Sequence, residues 1–116
     1  MNYIEGYVYA VPETIKDEFI AFAEKSATYF KKHGALRVVE CWGDEVPDGE
    51  VTSFPMAVKK KEDEVVMFSW VEWPSKEVSQ EAHKHMYDEM TADGMDTMPF
   101  DGKRMIFGSF QAVVDC

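Results

Sequence analysis

The chain predicts an α+β fold built on an antiparallel sheet, and three observations carry that prediction. Extended and helical patterns follow one another in the order strand, helix, strand, strand, helix, strand. The first and last strands, Tyr3 to Ala10 and Met105 to Val113, are apolar at odd and even positions alike, where a sheet with one wet face would alternate. Two helices shield one face of four strands, so the other face needs a different cover.

Each element has a local cause. After the first strand, Pro12 breaks the extended run and Thr14 offers a cap, with Asp17 three residues on. Ile15, Phe19, Phe22, Ala23, Ser26, Phe30 and His33 then recur on one helical stripe. Lys31, Lys32 and His33 suit the carbonyl end of that helix, and Gly34 suits a left-handed stop. Leu36 to Trp42 is a second strand, rich in Val and aromatic character. Gly43 to Gly49 is a loop, and Val51 to Lys60 is left open between strand and irregular structure, because Pro55 restricts it to an edge position if it is extended. A short tip at Lys61 to Asp63 leads into a third strand, Glu64 to Trp73. Ser75 caps a second helix carrying Val78, Ala82, His85, Met86 and Met90, which Asp93 and Gly94 end. The sum is a ferredoxin-like split βαβ sandwich in one domain over residues 1–116.

Right-handed crossovers place both helices on one sheet face. The even positions Ile4, Gly6, Val8, Ala10, Ile106, Gly108, Phe110 and Ala112 are assigned to that face, where small residues allow close approach. The odd positions, with Tyr7, Tyr9, Met105 and Phe107, are joined there by Val38, Trp42 and Met67 and left for a second copy. Each large apolar side chain left in water forfeits roughly 1.5–3 kcal/mol relative to burial. Two sheets packed face to face about a twofold axis then give a dimeric α/β barrel. Tyr7, Phe107, Ser109 and Gln111 are the expected interface residues.

Composition narrows the function classes. The chain has 12 basic and 22 acidic residues, a net charge of -10, and its one dense basic run, Lys59 to Lys61, is followed at once by Glu62, Asp63 and Glu64. Such a surface repels phosphate backbones, so nucleic acid is not expected as a partner. No apolar run is long enough to cross a bilayer and no signal peptide is recognisable, so a cytoplasmic location without membrane association is expected. Cys41 in a strand and Cys116 at the end do not form a disulfide framework.

The chemistry-bearing residues admit two readings. Glu5, Glu40, Ser69, Ser109 and Gln111 share the odd face, either as a hydrogen-bonded layer between subunits or as the convergent polar groups of a ligand cavity. His33 is a candidate base between helix and sheet, or a histidine held by the helix dipole. On the second helix Glu81, His85 and Glu89 share a face while His83 and His85 diverge, which excludes a local bis-histidine metal site; no metal site is assigned, and no cofactor is identified. Phosphate loops, nucleophile elbows and Cys-x-x-Cys pairs are absent.

Gly34 to Trp42, Val46 to Gly49, Phe68 to Trp70, Pro74 to Val78 and Met98 to Met105 resemble the YbaA-like family, short bacterial proteins assigned to a domain of unknown function. The resemblance runs almost end to end and implies a dimeric α/β barrel. It brings no activity, cofactor or catalytic residue with it. Dimeric α/β barrels at large include monooxygenases and ligand-sensing modules, often with a pocket between sheet and helices, which is an analogy of fold. The expected function is therefore the binding or transformation of a small apolar or aromatic metabolite, with His33, Glu40, Trp42 and Arg104 as ligand-binding candidates. The alternative is a homodimeric binding or stress-response module with no active site.

Overall fold

The computed structural model describes residues 2–116. Strand β1 (Tyr3–Pro12) is followed by a 3-10 turn, Glu13–Ile15, and helix α1 (Lys16–Lys32). Then come β2 (Arg37–Trp42), the short helix α2 (Phe54–Ala57), β3 (Glu64–Trp73) and α3 (Lys76–Ala92), and a second 3-10 turn, Gly102–Arg104, leads into β4 (Ile106–Gln111). The sheet is antiparallel throughout with strand order β2-β3-β1-β4, the order of a ferredoxin-like sheet.

Local chemistry explains most boundaries. Ser75 caps α3 by accepting a hydrogen bond from the Val78 N–H at 3.2 Å. At the end of α1, His33 turns its N–H back to Tyr29 and Phe30, and Gly34 takes a φ of +103°, a conformation only glycine holds without strain. Thr14 does not cap α1: it sits inside the 3-10 turn, and no side chain caps the helix, because Pro12 bends the chain one turn early. The open segment resolves as helix, not strand. Ser53 accepts from the Met56 N–H at 3.1 Å, and Pro55 lies in the first turn of α2, where its missing donor costs nothing.

Both helices pack on one face, but the parity is the reverse of the sequence assignment. The odd positions of β1 and β3 face the helices: Tyr9, Val11 and Met67 pack with Phe19 and Ala23 of α1, and Val71 and Trp73 pack with Tyr29, Ala82 and Met86. The residues grouped on one face do share a face, since the register sets Tyr7 opposite Ser69 and Ser69 opposite Glu40. What failed was the choice of which face the helices cover. A right-handed crossover fixes that both helices lie together, and a period of two is indifferent to which parity lies beneath them. Gly6 and Gly108, directly opposite each other, instead make a seat for the Phe110 ring, which a Cβ on Gly108 would meet at 3.2 Å.

The even face is the open one. At one end the chain after β2 wraps over it, burying Val58 against Ala10 and Val66 and setting Phe54 edge-on to Phe68. Phe68 stays partly exposed at the edge of that cover, and Ile106 and Phe110 stay exposed beyond it.

Candidate functional site

A cavity of about 300 Å³ lies between α1, α3 and the sheet, at the lower end of the range for small-molecule sites. Its roof comes from α1 through Phe19, Phe22 and Phe30, and one side from Tyr87 and Met90 of α3. The loop before β4 closes it with Met95, Met98 and Phe100. Phe100 stacks on Tyr9 with ring centroids 4.6 Å apart and meets Phe19 and Phe22 edge-on. Polar ties hold the two helices beside the cavity: the Tyr29 hydroxyl donates to Asp93 at 2.5 Å, and Lys32 and His33 both reach Glu89. The Asp93 carboxylate pushes the Tyr29 hydroxyl up to about 12.

The sheet supplies the polar floor. Register aligns Phe107, Tyr7, Ser69 and Glu40 in one row from β4 to β2, with Tyr9 two residues along β1 on the same face. The Tyr9 hydroxyl donates to Glu40 Oε2 at 2.6 Å, and the Ser69 hydroxyl donates to the same oxygen. Burial, and then the Glu40 carboxylate, push the Tyr9 hydroxyl far above the ordinary tyrosine range. Tyr9 and Ser69 are buried, whereas Glu40, on edge strand β2, is reachable from solvent. Chemically this is a carboxylate oriented by two hydroxyls at one end of an aromatic chamber, with Oε1 engaged by no donor among the described residues.

Of the four residues expected to line a ligand site, the structure brings one to the cavity. Glu40 is there. Trp42 packs behind the wall, 6.3 Å from Phe19 and under the Lys16 ammonium, without lining the space. His33 lies outside, because it caps α1 and turns toward α3, where its ring is 3.0 Å from Glu89 and parallel to His85. Arg104 also lies outside. It binds both oxygens of buried Glu64, at 2.6 and 2.8 Å, and Asp101 at 3.0 Å, pinning the turn before β4 to the start of β3. That guanidinium holds the Glu64 and Asp101 carboxyls below the usual carboxylate range.

The residues assigned to an interface are scattered. Tyr7 floors the cavity; Phe107, on the same face but on uncovered edge strand β4, is exposed. Ser109 borders a polar opening beside α3, and Gln111, of the same parity as Phe107, joins it at the rim of the open-face groove. The ring around the cavity contributed by Tyr87, Met95 and Phe100 has no shared signal in the sequence, since one member lies on a helix and two in the loop that follows it.

A second polar cluster was also unforeseen. Glu5 is only 8% exposed and accepts from the Trp73 indole N–H, while His83 Nε2 lies 2.8 Å from its other oxygen. The hydrogen bond to Glu5 raises the His83 pKa, so its folded value lies above its unfolded one. A raised value means that the pair stabilises the fold fully below about pH 6.5, and the contribution fades as pH rises through the folded pKa. Denaturation midpoints of the wild type and of His83→Gln are therefore expected to differ most at pH 6 and to converge by pH 9. A difference that grows with pH contradicts this pairing. Among the described residues, no group of three or more His, Cys, Asp or Glu is placed to hold a metal ion, and no helix is long and apolar enough to cross a membrane.

Fold and site together define an α+β protein of ferredoxin-like strand order with a ligand-sized chamber between helices and sheet. The family model described as "Protein of unknown function (DUF1428)" matches residues 2–102, and the chain belongs to that family. It is 53% identical over 116 residues to a protein of Escherichia coli (strain K12) carrying the name "Uncharacterized protein YbaA", covering 99% of each chain. The protein of that name from Shigella flexneri matches to the same extent.

Proposed function

We propose that this protein binds a small, mainly apolar or aromatic molecule in the chamber between α1, α3 and the sheet, with Glu40, Tyr9 and Ser69 as its polar anchor. The observation that carries the reading is the composition of the chamber: an almost continuous apolar wall meets one oriented carboxylate cluster, the pattern of a site that encloses an apolar body and fixes one polar end. The protein works as a homodimer joined through the open sheet face, where Ile4, Phe68, Trp70, Ile106 and Phe110 await a cover that the chain's own helices do not give. Its place is the cytoplasm, where the free thiols of Cys41 and Cys116 stay reduced.

The neutral fluorophore N-phenyl-1-naphthylamine tests the chamber directly. Saturable binding is expected in the wild type. Ala23→Phe fills the space from the α1 side and is expected to weaken binding by at least about tenfold, as lost apolar contact of this size implies. A variant that keeps a cooperative unfolding transition and still binds as the wild type does would remove the chamber as the site.

A further inference from the structure

The chamber's chemistry is one-sided in charge. Glu40 and Asp96 both line it, and no Lys, Arg or His does. Seven of its seventeen lining residues are aromatic and four are Met, so its walls present ring faces and thioether sulfurs. Ring faces carry negative quadrupole density and attract cations, most of all weakly hydrated ones that lose little on leaving water.

The polar end is equally one-sided. Because the hydroxyls of Tyr9 and Ser69 both donate to Glu40 Oε2, neither has a hydrogen left for a ligand. What they and the Glu40 carboxylate offer there is a set of acceptors, which suits a positive charge or a donor. Burial above all raises the Tyr7 hydroxyl on the chamber floor, and the Glu5 and Glu40 carboxylates add to that rise.

We propose that the ligand is a hydrophobic monocation, an aryl or alkyl ammonium whose charged head sits at Glu40 and whose apolar body lies among the rings. This rests on the chamber being the ligand site. The overall charge of -10 adds to the effect by concentrating cations near the mouth.

Displacement of N-phenyl-1-naphthylamine by matched probes tests it. Phenyltrimethylammonium is expected to compete at least about tenfold more strongly than its neutral isostere tert-butylbenzene, and benzenesulfonate is expected not to compete at the same concentration. Glu40→Gln keeps an acceptor for Tyr9 and Ser69 and is expected to cut the preference for the cation to below about threefold. Asp96→Asn, in an exposed loop, gives a second variant expected to reduce that preference should the first fail to fold. Equal competition by cation and isostere, or a preference that survives in both variants, overturns the monocation while leaving the chamber as a site. Failure of the fluorophore itself to bind the wild type overturns both.

Discussion

Trp73→Ala is expected to lower the unfolding free energy by about 3–5 kcal/mol. Trp73 is 0% exposed, at the end of β3, with Phe30 of α1 and His83 of α3 against its ring at centroid distances of 6.2 and 6.0 Å. Removing the indole therefore empties the point where both helices meet the sheet. It also strips buried Glu5 of a donor, leaving that carboxylate to His83 alone. Trp73→Phe separates the two effects, because it keeps most of the volume and loses only the N–H. Its cost is expected to be about 1–3 kcal/mol, the penalty for an acceptor left short of its partner. Guanidinium denaturation at pH 7 measures both variants, with the slope against denaturant unchanged if the native state stays compact. Equal losses in the two variants would show that the hydrogen bond, and not packing, is what Trp73 contributes.

The elements of this fold were legible because their signals are local. Ser75 before a periodic run, Gly34 after Lys31 and Lys32, and Pro12 at the end of an apolar strand each act within a few residues. The sheet order follows from those elements through crossover handedness. Parity was not legible, since the same alternating strand fits beneath the helices either way up. Its outcome depends on how α1 and α3 seat their apolar side chains, Phe19 against Tyr9 and Ala82 and Met86 beside Trp73. Val51 to Lys60 stayed open because its decisive contact, Ser53 to Met56, competes with a strand reading that Pro55 weakens without excluding.

The chamber was half legible for the same reason. Glu40 and Ser69 were read as sharing a face with Tyr9, since strand alternation puts them there, and they meet as the cavity floor. His33 and Arg104 were misplaced because each stands at the end of an element, where direction is set by distant partners. Glu89 draws the first outward and Glu64 the second, over separations of 56 and 40 residues. Glu5 and His83 are 78 apart, and no spacing announces such a pair.

Parity also decides which substitution should split the proposed homodimer. Phe110, 59% exposed, lies on the open face over Gly6 and Gly108, whereas Phe107, 73% exposed, lies on the helix side of β4, its ring stacked 6.3 Å from Tyr7. In a twofold dimer joined through the open face, Phe110→Glu places an unpaired carboxylate in the interface twice, once from each copy. Breaking an interface with an uncompensated buried charge costs several kcal/mol, so the dimer Kd is expected to rise by at least about a hundredfold. The subunit itself should unfold with a similar midpoint, because the side chain is exposed within one copy. Phe107→Glu, at the rim of that groove on the other side of β4, is expected to weaken association far less, although the sequence alone placed Phe107 in the interface. Sedimentation velocity at micromolar concentration reads both. Dissociation by Phe107→Glu and not by Phe110→Glu would mean that subunits meet elsewhere than at the open face. A wild type that sediments as a single subunit would mean that the greasy even face stands in water unaided, and the homodimer would have to be given up.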